Sequence, residues 1–277
     1  FLGGVGVVGA VGDGGLDGGL ACASDRHFAR RFIDGDIPYD ELIFKGEFDA
    51  PVEELLIFNP LTITGDGAIL KNMRIFIDSD DVKLDKLTIV ADEEIGYLIH
   101  VDMGSNLDFT NLNVSYSAGA DEAVAVDIKD ATDVRLLNST IFFESHVTDD
   151  TLPSIALQVV NSQNVLIDGN NITAKLPCVY VNTYDEDYYL MGSNNVNPVR
   201  LKDCGNLILT NNNINSTTND YSADFPTIQS IYIIGCYDSL IDHNNISMID
   251  EMTHAGMDNY LYGIDFGHNR NVTFSYN

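Results

Sequence analysis

Apolar and polar residues alternate in short stretches that recur along most of the chain. The pattern is clearest in VLIDGNNIT, residues 165–173. Each copy has an apolar residue two places after its start, and each complete copy has a β-branched residue seven places after it. The copies begin at Leu56, Val82, Leu107, Val134, Val165, Leu207, Ser239 and Val272, and the last is cut short. A repeat of fixed phase predicts stacked units of similar structure.

A second apolar pattern precedes each start from Leu107 to Val272. Residues eight and six places before the start are apolar, and the residue between them is never aliphatic. The pairs are Ile99/Val101, Val126/Ile128, Leu157/Val159, Val199/Leu201, Ile231/Ile233 and Ile264/Phe266. This alternation is typical of a strand with one face inside, so each lap has at least two short strands.

Strands at constant phase, without a helical pattern between them, favour a solenoid with laps about 4.8 Å apart. We therefore expect an all-β chain folded as a single-stranded, right-handed parallel β-helix. Residues 51–277 would form about eight laps, the last incomplete. Residues 1–50 would form a Gly-rich segment and cap, because the end of a solenoid exposes its core and an unpaired strand edge.

Asparagines recur at two neighbouring positions of the repeat. Asn170, Asn212, Asn244 and Asn277 lie five places after a start, and Asn113, Asn171, Asn213 and Asn245 lie six places after one. Asn tolerates left-handed turns and forms hydrogen bonds along a stack of like residues. We interpret both rows as structural.

The later laps are lengthened by insertions at one point of the repeat. They are Glu144–Ser154, Ala174–Pro198, Ser216–Gln229 and Met248–Tyr260. Insertions at one corner project from one face, where recognition often lies. Their acids and aromatic residues suit contact with a sugar or a protein. The candidate ligand-binding residues are Asp185, Asp187, Tyr188, Tyr189, Asp220, Tyr221, Asp224, Phe225 and Tyr260. The alternative is that these loops are acidic for solubility and their Tyr rings cover the solenoid.

The chain is strongly acidic, with 42 acidic and 14 basic residues and a formal net charge of −28. Nucleic acid and anionic membrane surfaces are therefore unlikely partners, since both are bound by clustered Lys and Arg. The acids could hold calcium, but no DxDxDG-type loop is present, and we expect no cofactor or metal. No apolar run is long enough for a transmembrane helix.

Parallel β-helices also include polysaccharide lyases, which use a basic residue beside Asp-rich calcium ligands on one strand face. Arg200 and Lys202 are the candidate bases here, with Asp127 and Asp265 as candidate acids. The alternative is an ordinary solvated strand face, which we favour.

Six Asn-x-Ser/Thr sequons occur, at Asn113, Asn138, Asn171, Asn215, Asn245 and Asn271. Sequons mark glycosylation only in an exported chain. Asn138 and Asn215 are the leading candidates, followed by Asn113 and Asn271. Asn171 and Asn245 are weaker ones, because we expect their side chains to point inward within the asparagine rows.

Cys204 and Cys236 both lie three places before a start, so adjacent laps would bring them within disulfide range. Parallel side chains of a stacked pair seldom reach the dihedral angle that a disulfide needs. We therefore expect two reduced, buried thiols.

Residues 1–20 hold nine of the 23 glycines. Because glycine permits close backbone approach, we expect this segment to pack on the N-terminal end of the solenoid or on a neighbouring subunit. The open last lap is a second place where another subunit could bind.

From Glu41 onward the sequence resembles the adhesin-like surface proteins of methanogenic archaea. The resemblance lies in ELIFKGEF, NPLTITGDGAILKN, DVKLDKLTIV, NVLIDGNNIT, PVRLKDCGNLILTNNNIN and LYGIDF. It implies an extracellular, cell-surface location and glycan or protein partners. The expected function is a non-enzymatic adhesin-like or structural module that binds cells or glycans. The alternative is a carbohydrate-active β-helix enzyme, a polysaccharide lyase or hydrolase.

Overall fold

The computed structural model describes residues 7–11, 21–22, 41–93, 95–118, 123–146, 155–178, 195–196, 198–221, 227–250 and 260–277. All secondary structure in these ranges is β. The strands are β1 (Val7–Val11), β2 (Ala21–Cys22), β3 (Glu41–Lys45), β4 (Glu47–Ile57), β5 (Leu61–Gly65), β6 (Ile69–Asp78), β7 (Val82–Asp85), β8 (Thr88–Ala91), β9 (Tyr97–Thr110), β10 (Asn113–Ala118), β11 (Val124–Lys129), β12 (Ala131–Leu137), β13 (Thr140–Ser145), β14 (Ile155–Val160), β15 (Gln163–Asp168), β16 (Asn171–Cys178), β17 (Asn195–Val196), β18 (Val199–Lys202), β19 (Ile208–Thr210), β20 (Asn213–Tyr221), β21 (Thr227–Ile234), β22 (Tyr237–Asp242), β23 (Asn245–Asp250), β24 (Tyr260–Gly267) and β25 (Arg270–Ser275).

The strands stack in three parallel ladders. Ladder 1 contains the second halves of β4 and β6, the first half of β9, and β11, β14, β18, β21 and β24. Ladder 2 contains β3, β5, β7, the second half of β9, and β12, β15, β19, β22 and β25. Ladder 3 contains the first halves of β4 and β6, and β8, β10, β13, β16, β20 and β23. The chain is therefore a parallel β-helix, and the expected all-β solenoid is confirmed.

The predicted repeat matches the strand register from Val82 onward. Val134 pairs with Leu107 on one side and with Val165 on the other, as the copies require. The first copy was set in the wrong phase, because Leu61 rather than Leu56 pairs with Val82. Leu56 instead pairs with Phe76 in ladder 1. The apolar alternation of this stretch fits a start at either Leu56 or Leu61. The corner after β5 is two residues longer than the same corner in the next lap, which shifts β6 by two positions relative to the repeat.

The inward side chains of the three ladders form one continuous apolar core. The pairs Val126/Ile128 and Leu157/Val159 are fully buried, and their neighbours in register repeat this pattern. At the last rung, Phe266 occupies an inward position and is 62% exposed.

Asn170, Asn212 and Asn244 form a buried polar ladder at the corner between ladders 2 and 3. Asn212 Nδ2 donates to Asn244 Oδ1 at 2.9 Å and to Ile167 O at 2.9 Å. Asn212 Oδ1 accepts from the backbone N of Asn170 at 2.9 Å and from its Nδ2 at 3.0 Å. The ladder thus pairs backbone groups that the turn leaves unpaired, and its predicted structural role is confirmed.

Left-handed residues recur at the same corners in each lap from Val82 onward. Positive φ angles occur one place before the start of the repeat and again four places after it. The first set is Asp81, Asn106, Asp133, Asn164, Asn206, Asp238 and Asn271, and the second is Lys86, Asn111, Asn138, Gly169, Asn211, His243 and Tyr276. Asn, Asp and Gly adopt this conformation at low cost, which explains why they predominate.

The described part of the Gly-rich segment lies on the first strand of the solenoid. β1 pairs antiparallel with β3, from Val7 opposite Lys45 to Val11 opposite Glu41, and also with β2. Of the two contacts expected for residues 1–20, this is the one with the solenoid's own end. Parallel pairing begins at Glu41, ahead of the expected boundary at residue 51.

The insertions share one corner, as the sequence predicts. Each leaves a strand of ladder 3 and returns to ladder 1, after β13, β16, β20 and β23. At this corner β16 and β20 stay paired as far as Cys178 and Tyr221, and β21 pairs with β24 from Thr227 and Tyr260.

Candidate functional site

The outward side chains of ladder 1 form a row in which one residue follows another from rung to rung. This outer row contains Phe76, His100, Asp127, Gln158, Arg200, Tyr232 and Asp265. Their strand register places neighbours about 4.8 Å apart. The row holds most of the residues considered for catalysis, so its contacts decide what chemistry is available there.

Asp127 is the centre of a polar cluster in this row. It is only 4% exposed. Its carboxylate lies 3.0 Å from Nδ1 of His100, 2.8 Å from Nζ of Lys129 and 2.9 Å from Nε2 of Gln158. Burial alone would raise the pKa of Asp127, but these three partners outweigh it and the pKa is lowered. Asp127 is therefore an ionised group held by its neighbours rather than a proton donor.

The four candidate catalytic residues do not converge on one point. Arg200 lies between Gln158 and Tyr232 in register, two rungs from Asp127. Asp265 accepts a hydrogen bond from Gln229 and lies four rungs from Asp127, roughly 19 Å along the axis. Lys202 is half-buried beside the Val160 and Ile234 positions. A lyase centre built from these residues is thus not assembled.

Arg200 has one feature that the sequence does not reveal. Its Nε is buried without a hydrogen-bond partner among the described residues, and the same is true of Gln229 Oε1. Both lie in ladder 1, where the chain returns from an insertion.

An aromatic strip covers the first laps of ladder 1. It consists of Phe58, Phe76, His100 and Tyr97, with ring centroids 6.1 Å apart for Phe58 and Phe76, 5.4 Å for Phe76 and His100, and 4.9 Å for His100 and Tyr97. The guanidinium of Arg74 lies 5.4 Å from the Tyr97 ring centroid. Phe58 is 49% exposed, so one end of the strip offers a flat apolar face to solvent.

Glu54 links Tyr97 of the aromatic strip to the neighbouring Arg74. It accepts a hydrogen bond from the Tyr97 hydroxyl and pairs with Arg74 Nε at 3.5 Å. Burial and the Glu54 carboxylate raise the pKa of Tyr97, so its hydroxyl remains a donor. The repeat pattern does not predict this strip, because it sets the start of the first copy at Leu56, one strand before the true start at Leu61. The missing signal was the alternation of Leu55/Ile57 and Ile75/Ile77, which continues the inward pairs of ladder 1.

Most of the candidate ligand-binding residues lie outside the described residues. These are Asp185, Asp187, Tyr188, Tyr189, Asp224 and Phe225. The backbone of Asp220 and Tyr221 belongs to the end of β20, and that of Tyr260 to the start of β24. These three residues therefore lie at the insertion corner.

Two of the sequon asparagines are placed differently from expectation. Asn171 and Asn245 face outward and are exposed, so the expectation that they point inward is wrong. The inward residue is the one before each of them, Asn170 or Asn244, because side chains alternate between faces in a strand. Asn113, Asn138 and Asn271 are also exposed, whereas Asn215 is half-buried.

Cys204 and Cys236 are free thiols, buried at the corner between ladders 1 and 2. Cys204 Sγ lies 3.2 Å from the carbonyl oxygen of Lys202, two residues earlier. The neighbouring Cys236 side chain and burial raise the pKa of the Cys204 thiol, which makes it a poor nucleophile.

The described residues contain no group of three or more His, Cys, Asp or Glu side chains placed to hold a metal ion. They also contain no helix long and apolar enough to cross a membrane.

No protein-family model matches the sequence, and a comparison with curated proteins finds no match. Among solved structures, the chain is similar to the Dettilon tailspike protein, at 11% identity and a TM-score of 0.22. The match covers 87% of this chain and 66% of the tailspike chain, slightly less than two thirds of its length. A similarity this weak supports no inference about function, and the fold stands on the strand register alone.

Proposed function

We propose that this chain is a non-enzymatic, adhesin-like solenoid displayed at a cell surface. In this proposal it binds glycans or proteins of other surfaces through the loops at the insertion corner. The β-helix is a rigid scaffold, and loops on such scaffolds are where recognition usually lies.

The observation that carries the non-enzymatic part is the state of Asp127. A catalytic carboxylate needs access to substrate, whereas Asp127 is buried and its oxygens are occupied by His100, Lys129 and Gln158. The carboxylate of Asp127 is thus satisfied by its neighbours on ladder 1. Such a face supports a scaffold better than a reaction centre.

The observation that supports the binding part is the shared corner of the insertions. Four successive laps leave and re-enter the solenoid between ladders 3 and 1, so their loops emerge in a line along one edge. A net charge of −28 keeps the molecule soluble and favours neutral or basic ligands over acidic polysaccharides.

The test is adhesion of a loop variant. Replacing Tyr188, Tyr189 and Tyr221 with Ala removes three aromatic rings from the insertion corner and should abolish binding to cells and to a glycan array. The melting temperature should stay within a few degrees. The matched control is Tyr276→Ala, which removes an exposed Tyr at another corner and should leave binding unchanged. Undiminished adhesion of the triple variant would contradict the proposal.

A further inference from the structure

We infer that the outer face of ladder 3 is a glycosylated face, modified with N-linked sugars at Asn113 and Asn171 first. The inference rests on the proposed surface display, because sequons are used only in exported chains. It goes beyond that proposal by assigning the modification to one face and by ordering the sites on it.

Three sequon asparagines lie in one straight row on this face. In register, Asn113 pairs with Thr140, Thr140 with Asn171, Asn171 with Asn213, and Asn213 with Asn245. Asn113, Asn171 and Asn245 therefore occupy alternate rungs, about 9.6 Å apart. This spacing leaves one unmodified rung between neighbouring sugars.

Strand geometry exposes both recognition groups of each sequon. The Asn and the hydroxyl residue two places later point to the same side of a strand, which here is the outside. Asn113 is followed by Ser115, and Asn171 by Thr173. The residue between them points inward, as buried Val114 and Ile172 show. The asparagines of all three sequons in the row are exposed.

The sites can be ranked by whether the side-chain nitrogen Nδ2 of each asparagine is already used in a hydrogen bond. Glycosylation forms a bond between Nδ2 and the anomeric carbon of a sugar that carries a phosphate leaving group. The carbon–oxygen bond to the phosphate breaks, Nδ2 loses one proton, and no group is oxidised or reduced. Nδ2 of Asn113 and of Asn171 donates to no group among the described residues, and Asn171 only accepts, from Asn213 Nδ2 at 3.0 Å. Both nitrogens are therefore available.

Three of the other four sequon nitrogens are engaged in hydrogen bonds, and the fourth sequon, Asn138, lies at the corner between ladders 2 and 3 rather than in a strand of ladder 3. Asn245 Nδ2 donates to Asn213 Oδ1 at 2.8 Å, and Asn271 Nδ2 donates to Asp238 Oδ1 at 2.7 Å. Asn215 is half-buried, and its Nδ2 lies 3.4 Å from Asn171 Oδ1. These three sites should be less occupied than Asn113 and Asn171, which reverses the order suggested by the sequence for Asn215.

The sequons are confined to ladders 2 and 3 and the corner between them. The sequence has none in the strands of ladder 1, and none begins within the insertions that follow β13, β16, β20 and β23. A glycosylated ladder 3 would thus leave the outer row, the aromatic strip and the insertion corner bare for a ligand.

The experiment is glycopeptide mass spectrometry of the protein isolated from its native cells, combined with labelling of intact cells by a membrane-impermeant amine reagent. We expect surface labelling, with higher glycan occupancy at Asn113 and Asn171 than at Asn215 or Asn271. A labelled protein that is unmodified at Asn113 and Asn171, or modified mainly at Asn215, would overturn the inference alone. A protein that is not labelled on intact cells would overturn the proposed surface function and this inference with it.

A pair of variants tests the site chemistry in the same cells. Thr173→Ala destroys the sequon and should remove the glycan mass from Asn171 while leaving Asn113 modified. Thr173→Ser keeps the sequon and should retain that mass. Since Thr173 is half-exposed on the outer face, neither change should prevent folding. A glycan that persists on Asn171 in Thr173→Ala would show that the attachment does not use this sequon.

Discussion

Asp127 is an outward-facing residue of ladder 1 whose charged carboxylate is nevertheless buried by its neighbours. Its partners come from three successive rungs, with Lys129 on its own strand and His100 and Gln158 on the neighbouring ones. Each hydrogen bond to a charged group is stronger than a neutral one, and together they offset the loss of hydration. The cluster therefore links three successive strands of ladder 1 and stabilises a buried carboxylate.

Replacing Asp127 with Asn should lower the free energy of unfolding by about 1–3 kcal/mol at pH 7, because buried donors lose a charged acceptor. The pH dependence has a definite sign. The folded pKa of Asp127 is lowered, so its contribution is fully present above its unfolded value of about 3.9 and is lost as the pH falls through the folded pKa. Denaturant unfolding of both proteins between about pH 3 and pH 7 measures this.

The stability gap between wild type and Asp127→Asn should stay constant above about pH 5 and shrink below about pH 4. The control is Asp130→Asn in the same lap. Asp130 is exposed at a left-handed corner that Asn adopts equally well, so its effect should stay within about 0.5 kcal/mol. A gap that widens on acidification would contradict the assigned charge state.

At the scale of the strand, the sequence predicts the ladders because each inward position repeats at constant phase. Val126, Leu157, Val199 and Ile231 could be aligned by eye, and each pairs with the next in the structure. The third strand of each lap was partly hidden, since its signal is the single β-branched residue seven places after the start.

The site was less accessible to sequence reasoning than the fold. Periodicity tells which side of the sheet a residue faces, but not which neighbour it contacts. Asp127 was identified as outward, yet its three partners depend on side-chain reach across rungs. The aromatic strip depends on the phase of the first lap, where a start at Leu56 instead of Leu61 assigns Phe58 to ladder 2 rather than to the end of a ladder 1 strand.

The asparagine ladder is an element in its own right, and replacing Asn212 with Leu tests it. Leu87 and Leu112 are buried at the same position of earlier laps, so the volume fits. The substitution leaves the backbone N and Nδ2 of Asn170 without their acceptor. We expect a loss of about 2–4 kcal/mol in the free energy of unfolding, measured by denaturant titration.

The matched control is Asn213→Leu, the same change at the adjacent outward residue. Its side chain is half-exposed, and its partners Asn171 and Asn245 can turn to water. The expected effect is therefore below about 1 kcal/mol. Equal losses in the two variants would mean that the buried ladder contributes no more than the outer row.

At the scale of the whole molecule, the faces of the solenoid differ in surface chemistry. Ladder 1 presents a charge-paired and aromatic surface, ladder 3 presents amides and hydroxyls in rows, and the corner between them carries the insertions. Because a solenoid adds laps without changing its cross-section, each face keeps its chemistry along the axis. The ends are the places where this arrangement must be protected, since the core and the strand edges are open there.

The N-terminal end is covered by β1, and deleting residues 1–22 tests that role. The deletion removes β1 and β2 and exposes the edge of β3, whose Leu42 and Phe44 are otherwise buried. An exposed edge pairs readily with other chains, so we expect a lower melting temperature and a shift to larger species in light scattering after size exclusion.

A point variant tests whether the pairing of β1 with β3, rather than the presence of residues 1–22 alone, protects the edge of β3. Gly9 lies opposite Ile43 in the middle of the antiparallel pair. Gly9→Pro removes a backbone donor and fixes φ, which strand pairing tolerates poorly. It should reproduce part of the deletion's effect. Gly14→Pro makes the same change outside β1 and should be closer to wild type. If the deletion and Gly9→Pro both leave melting and oligomeric state unchanged, β1 does not protect the first strand, and another part of the chain must cover that edge.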